Sequence, residues 1–219
     1  MGGSEEPLAA VLHHPGVRLV ETLRWTPGAG FSRLDAHLAR LARGAAALGV
    51  ALRPGAIDAA LAEVGAGEGR ELRVRLLVDL SGAATVETAP APPPAAPWRV
   101  ILAAERLRSD DPWLAIKTTR RPAHDAARAA LAGGADEAIL LNERGEVCDG
   151  TITTVFLDRG AGLLTPPLAC GCLPGVLRAE LLAAGTAREA TLRPPDLAHG
   201  RLLVGNALRG LIPARLAEA

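Results

Sequence analysis

The chain has 219 residues, 49% of them hydrophobic and 22% charged, with 24 basic and 24 acidic side chains and a formal net charge of zero. That length suffices for one sizeable core or two small ones, and the neutral balance argues against a nucleic-acid or anionic-membrane footprint. Aromatic residues make up only 2% and tyrosine is absent, which excludes tyrosine acid/base chemistry and disfavours an aromatic platform for bases.

The acidic start, Met-Gly-Gly-Ser-Glu-Glu, has neither a basic leader nor an apolar core. No apolar run approaches the roughly 18 to 20 residues of a membrane-spanning helix. A cytoplasmic protein is therefore expected. From residue 33 onward Leu34, Leu38, Leu41, Ala45 and Leu48 recur at spacings of three and four, which predicts an amphipathic helix with Ser32 as N-cap and Gly49 as its stop. A second helix is predicted over 54–64, opened by Pro54. The period then changes to two: Leu72, Val74, Leu76 and Val78 alternate with Arg73, Arg75, Leu77 and Asp79, the pattern of a strand with one buried face. Ser81-Gly82 predicts a turn into a strand at 85–88.

Five prolines in the nine residues 89–97 make that stretch an edge or a stiff connector. A strand at 98–103 and a charged crossing at 106–112 come next, and a domain boundary is placed there, dividing the chain into 1–110 and 111–219. In the second part the pattern predicts a helix over 123–131 ended by Gly133-Gly134, then strands at 137–141, 146–149, 151–157 and 162–165 with an Asn/Gly turn at 142–145. A helix over 176–184, a strand at 188–192, a short helix at 195–198 and a strand at 201–205 complete an α+β fold of two domains.

Against 23 arginines stands a single lysine, Lys117, in Trp-Leu-Ala-Ile-Lys-Thr-Thr-Arg-Arg. Arginine stays protonated and cannot supply a neutral amine to attack a carbonyl, so Lys117 is the first candidate nucleophile. From the residues alone it reads equally as a strand-end lysine in solvent. Asp149, in Cys-Asp-Gly-Thr, suits pairing with a protonated ring nitrogen or a metal, and equally an Asx turn. Leu-Pro-Gly-Val-Leu-Arg at 173–178 and Gly-Asn-Ala-Leu-Arg-Gly at 205–210 offer backbone N–H groups to a phosphate, or simply cap helices. His37 and Arg40 lie on consecutive helical turns and suit either an anion or a solvated face. His13 and His14 lack a carboxylate at metal-site spacing, so no metal site is expected, and no Gly-x-Ser-x-Gly elbow signals serine hydrolysis. Cys148, Cys170 and Cys172 have poor disulfide spacing and are expected as reduced thiols.

Taken in order, several segments resemble the class IV aminotransferases, the fold-type IV pyridoxal-phosphate enzymes. They are Leu-Val-Glu-Thr-Leu-Arg-Trp at 19–25, Leu-Asp-Ala-His-Leu-Ala-Arg-Leu at 34–41, Ile-Lys-Thr-Thr-Arg-Arg at 116–121, the run 136–151 ending Cys-Asp-Gly-Thr, and 173–178. Lys-Thr-Thr-Arg-Arg and the ending Gly-Asn-Ala-Leu-Arg-Gly-Leu-Ile-Pro-Ala look most like aminodeoxychorismate lyase within that family. The resemblance implies a small α/β domain followed by a larger α+β domain carrying the Schiff-base lysine. It implies Lys117 as covalent anchor and base, and Arg40 on the cofactor phosphate. Asp149 would pair with the pyridine nitrogen, while Val176, Leu177, Asn206 and Ala207 would offer phosphate-binding turns.

The implied reaction converts 4-amino-4-deoxychorismate to 4-aminobenzoate and pyruvate in folate biosynthesis. The alternatives are a class IV amino-acid aminotransferase and a non-catalytic metabolite-binding homologue or synthase partner. Arg121, Arg209 or Arg24 would bind substrate carboxylates, with Lys117, Thr119 and Arg121 on one strand face. A homodimer is implied, with a separate aminodeoxychorismate synthase as a possible partner. The chain departs from the family pattern at several places. Asp149 stands where glutamate is usual, Leu177 and Ala207 where hydroxyl residues are common, Thr154 where asparagine is usual and Ile116 where the lyases often have histidine. His124 occupies one of the positions where the family often has tyrosine.

Overall fold

A computed structural model describes residues 16–94, 97–131 and 133–217. The acidic start and His13 and His14 lie outside the described residues. The chain divides into two compact units, the first reaching Pro92 and adding Ile116–Arg120, the second comprising Pro93–Ala115 and the residues from Arg121 onward. This displaces the boundary placed at residue 110. Residues 98–107 form a strand between two strands of the second unit, so the segment before 110 folds with residues later in the chain. Lys117 in turn belongs to the first unit, not to the C-terminal domain, because its backbone pairs with an N-terminal strand.

In the first unit, β1 (Arg18–Thr26), β2 (Gly30–Phe31), β3 (Leu72–Asp79) and β4 (Ala84–Pro90) form an antiparallel sheet in the order β2-β1-β3-β4. The proline-rich stretch thus begins on an edge strand, where a missing N–H costs no ladder bond. On β3 the predicted face Leu72, Val74, Leu76 and Val78 is buried, and Leu77 is buried as well. Helices α1 (Leu34–Ala47) and α2 (Pro54–Ala62) complete the unit, with Leu41 and Ala45 of α1 and Ile57 and Leu61 of α2 buried. Ser32 does not cap α1. Its N–H donates to Arg24 O at 2.9 Å, which ties it to β1 just beyond the β1–β2 pairing, and Arg33 takes the cap position with a left-handed φ of 58°.

The second unit holds an eight-stranded mixed sheet in the order β10-β9-β8-β11-β12-β5-β6-β7. Its strands are β5 (Trp98–Leu107), β6 (Glu137–Asn142), β7 (Val147–Gly150), β8 (Thr154–Asp158), β9 (Leu163–Thr165), β10 (Ala187–Glu189), β11 (Arg201–Asn206) and β12 (Gly210–Leu216). Helices α3 (Pro122–Ala129) and α4 (Val176–Ala183) and three 3-10 turns connect them. Two strands had no clear pattern. On β1, burial of Leu19, Val20, Glu21 and Leu23 erases the alternation. On β12, Pro213 argues against a central strand, yet the ladder to β11 ends at Pro213 and that to β5 begins at Ala214, so its missing N–H falls at the handover. Strand β6 is buried on both faces, with Ile139 and Leu141 in one apolar cluster and Ala138 and Leu140 in another.

The sheet curls. Strands β7 and β8 stand five places apart in it, about 24 Å if it were flat. Only residues 151–153 join them, a reach of roughly 14 Å between the strand ends. That linker, predicted as strand, is instead a bend wound around the fully buried Glu137 at the start of β6. The Glu137 carboxylate accepts from Thr151 N at 2.9 Å, Ile152 N at 3.1 Å, Thr153 Oγ1 at 2.8 Å, Ala138 N at 3.0 Å and the Thr151 hydroxyl. These bonds replace both strand pairing and water for the bend. Gly150 is required beside them, since a Cβ there would meet Glu137 Oε2 at 2.9 Å and the Thr153 hydroxyl. Removing the acceptor while the donors stay buried predicts that Glu137→Ala costs about 3–5 kcal/mol, against about 1 kcal/mol for Thr153→Val, which loses one donor. Urea unfolding midpoints of the two variants check this; equal small losses would contradict the central place given to Glu137.

Candidate active site

In the first unit, the segment carrying Lys117 lies alongside β1. Val20 N donates to Lys117 O at 3.0 Å, Thr119 N to Arg18 O at 2.9 Å, and Leu19 bridges Thr118. Lys117 therefore lies outside any strand but is held against β1 beside the isolated bridge at Thr118, and the residue is partly buried. Gly44 on α1 permits this packing, because a Cβ there would sit 3.0 Å from Leu19 Cδ2 and 3.1 Å from Ile116 Cγ2. The shared strand face expected for Lys117, Thr119 and Arg121 does not extend to Arg121. That residue is the N-cap of α3 and lies in the other unit.

One residue beyond Val20, Glu21 turns its side chain to α1. His37 Nδ1 lies 2.6 Å from Glu21 Oε2, and Arg40 donates through Nε to Oε1 at 2.9 Å and through NH2 to Oε2 at 2.5 Å. Glu21 and His37 are 1% exposed and Arg40 7%, so the helix face read as solvated or anion-holding is buried. An ionised carboxylate only accepts, which places the hydrogen on His37 Nδ1. Burial opposes ionisation of Glu21, but the hydrogen bonds from Arg40 and His37 outweigh it and hold its carboxyl below the ordinary value of 4.5. Arg24, also on β1, pairs with Glu71 at 2.8 Å.

In the second unit four connections meet. Asp149 on β7 is 5% exposed and accepts from Leu173 N at 3.2 Å through Oδ2. Leu173 leads to Gly175, the N-cap of α4, where Val176 and Leu177 open the helix and are buried. The first-turn N–H groups of a helix have no intrahelical acceptor and carry its positive end. Asn206 closes the group by donating from Nδ2 to Ile152 O at 3.1 Å, while its Oδ1 accepts from Leu208 N and Arg209 N. Ala207 sits in that last turn. The two glycines here have no room for side chains: a Cβ on Gly175 would lie 3.0 Å from Thr154 Oγ1, and one on Gly205 would lie 2.7 Å from Gly210 O and 3.1 Å from Leu177 Cδ2. Asp149, Val176, Leu177, Asn206 and Ala207 thus belong to one local arrangement. Arg121 pairs with Asp125 at 3.0 Å and donates to Thr151 O, and Arg209 lies over the Trp98 ring, 5.2 Å from its centroid.

Burial and the Asp149 charge push the Cys148 and Cys172 thiols upward, so both are protonated and unreactive at neutral pH. All three cysteines are free and buried. Among the described residues no cluster of three or more metal-ligating side chains occurs, and no helix is long and apolar enough to cross a membrane.

The model of the amino-transferase class IV family matches residues 18–217. The chain belongs to that family. Over 92% of its length and 100% of the other chain it is similar, at 48% identity and a TM-score of 0.89, to a Mesorhizobium loti protein assigned as an amino-acid aminotransferase. It is also similar to 4-amino-4-deoxychorismate lyase from Pseudomonas aeruginosa, at 25% identity and a TM-score of 0.73, covering 91% of this chain and 82% of that one. A Synechocystis protein assigned as a branched-chain-amino-acid aminotransferase is 38% identical over 69 residues, which are 31% of this chain and only 23% of that protein.

Class IV membership makes the chain an enzyme with pyridoxal 5'-phosphate as cofactor. Each unit by itself offers groups of the chemistry that such a cofactor needs: the first an amine and a buried guanidinium, the second a buried carboxylate and a helix N-terminus. Two acids that order these surroundings, Glu21 and Glu137, received no role from residue spacing or motif. The signal for them lies in the sequence all the same, since Glu21 is an acid within a largely apolar run and Glu137 directly precedes the apolar run 138–141.

Because the folded Glu21 carboxyl titrates below 4.5, its contribution to stability is present above that value and is lost as pH falls through the lower folded value. Wild type is therefore expected to lose more stability than Glu21→Gln on going from about pH 7 to about pH 3. Urea midpoints across that range measure the difference; parallel acid limbs would contradict it.

Proposed function

We propose that the enzyme is an amino-acid aminotransferase, moving an amino group between an amino acid and a 2-keto acid. The similarity to the Mesorhizobium loti protein, which spans nearly the whole of both chains, carries this reading. Pyridoxal 5'-phosphate supplies an electron sink that makes the Cα proton of an amino substrate removable. Lys117 would hold the cofactor through Nζ until the substrate amine displaces it, and the freed Nζ would then take and return that proton. Asp149, held on β7 by the bond from Leu173 N, would keep the ring nitrogen protonated. Arg40, the backbone N–H groups of Val176 and Leu177, and the turn at Asn206 and Ala207 bind the phosphate. With Leu177 and Ala207 lacking hydroxyls, that binding rests on backbone donors and the guanidinium.

Arg24 and Arg121 engage Glu71 and Asp125. Of Arg121, Arg209 and Arg24, we take Arg209, whose guanidinium lies over the Trp98 ring, as the first candidate for the substrate carboxylate. A homodimer working in the cytoplasm accords with the family and with three reduced thiols.

A second reading, lyase action on 4-amino-4-deoxychorismate supplied by a separate synthase, is favoured by Lys117-Thr118-Thr119-Arg120-Arg121 and by the Gly205–Ala214 ending. One assay separates them. An aminotransferase forms a new keto acid from an amino acid only when 2-oxoglutarate or another acceptor is added, whereas the lyase releases pyruvate and 4-aminobenzoate with no acceptor. Acceptor-independent pyruvate from aminodeoxychorismate, with no amino-acid turnover, would overturn the aminotransferase reading. In either case Lys117→Ala is expected to lower turnover by at least about 10³-fold and to abolish borohydride-fixed incorporation of the cofactor, read by mass spectrometry.

A further inference from the structure

We infer that Glu21 is a positioning residue for Arg40, holding one edge of the guanidinium so that the other is aimed at the cofactor phosphate. This rests on the assignment of Arg40 to that phosphate. Three observations carry it. The carboxylate takes the Nε and NH2 edge with two bonds, 2.9 and 2.5 Å, a bidentate grip that fixes the plane of the guanidinium and hence the direction of its remaining edge. His37, donating to Glu21 Oε2 from the same helix, keeps the carboxylate from turning about its own axis. Glu21 also stands next to Val20, whose N–H holds the main chain of Lys117, so the amine and the guanidinium are referenced to one strand. That strand is itself paired residue by residue with β3, Glu21 opposite Leu76.

The burial of this group calls for a reason beyond stability. A buried ion pair returns little net free energy, because desolvation of both ions consumes most of their attraction. Here the cluster also keeps His37 Nε2 buried without a hydrogen-bond partner. An apolar contact between β1 and α1 would serve packing as well or better. What an apolar contact cannot provide is a guanidinium of fixed orientation. A carboxylate so near also offsets part of the Arg40 charge. Orientation must therefore outweigh attenuation.

The test compares pyridoxal 5'-phosphate with pyridoxal, which shares the ring and aldehyde but lacks the phosphate. Each is titrated into the cofactor-stripped full-length enzyme and followed by the absorbance of the bound cofactor. In Glu21→Gln, binding of pyridoxal 5'-phosphate is expected to weaken about tenfold or more, the scale on which outer partners act at metal sites, while pyridoxal binding stays within about twofold. Equal weakening of both would mean a merely structural residue, and unchanged or tighter phosphate-dependent binding would mean attenuation; either overturns the proposal. Arg40→Met provides the separate control. If it leaves the preference for the phosphorylated form intact, the assignment of Arg40 fails; if it removes the preference while Glu21→Gln keeps it, only the positioning role fails. Should Glu21→Gln not fold, Glu21→Asp keeps the charge but is one methylene too short for both bonds. It is expected to lose the preference in the same direction, and full retention would overturn the inference.

Discussion

The architecture of the larger unit depends on one buried charge, the Glu137 carboxylate. A flat sheet cannot have β7 and β8 five strands apart and also joined by three residues, so the sheet has to curl. The curl leaves residues 151–153 as a bend outside the strands, with Thr151 and Thr153 buried. Glu137 meets two backbone N–H groups and two hydroxyls of that bend and so makes the closure possible. Asp149 and Gly150 enter the bend, Thr154 leaves it, and Asn206 binds its middle carbonyl. The proposed cofactor residues of this unit thus take their positions from a group that touches no cofactor.

The smaller unit uses the same chemistry differently. Its buried acid, Glu21, is matched by a guanidinium and an imidazole, side chains with several rotatable bonds, and not by fixed backbone donors. A carboxylate solvated by backbone amides fixes the chain; one solvated by side chains fixes the side chains. In the first case the product is a loop shape, in the second an oriented Arg40. Both carboxylates lie at the start of, or within, apolar strands, and in both the desolvation cost is met by charge-assisted hydrogen bonds.

The protonated thiols around Asp149 show a related use of charge. Cys148 is its chain neighbour and Cys172 precedes the residue whose N–H it accepts, and the carboxylate itself helps keep both sulfurs neutral. Small apolar side chains at these points maintain a low-dielectric surround in which the Asp149 carboxylate would interact strongly with the proposed ring cation.

By itself the sequence determined the local periodic elements and the chemical inventory. The helix from Leu34, the alternation of β3, the edge character of the proline-rich stretch and the singular amine of Lys117 follow from side-chain spacing and residue type, which act over a few positions. The family, too, was legible in the order of its motifs. Tertiary structure alone decided which unit owns β5 and Lys117, because strand pairing joins residues about a hundred positions apart and leaves no local period. It decided that 151–153 is a bend, since the β-prone threonines there serve as donors to Glu137 and not as ladder residues. It also decided that His37 and Arg40 face a buried acid, a fact that no helical spacing contains: an amphipathic pattern separates apolar from polar positions, and only the partner strand determines whether a polar face meets water or Glu21.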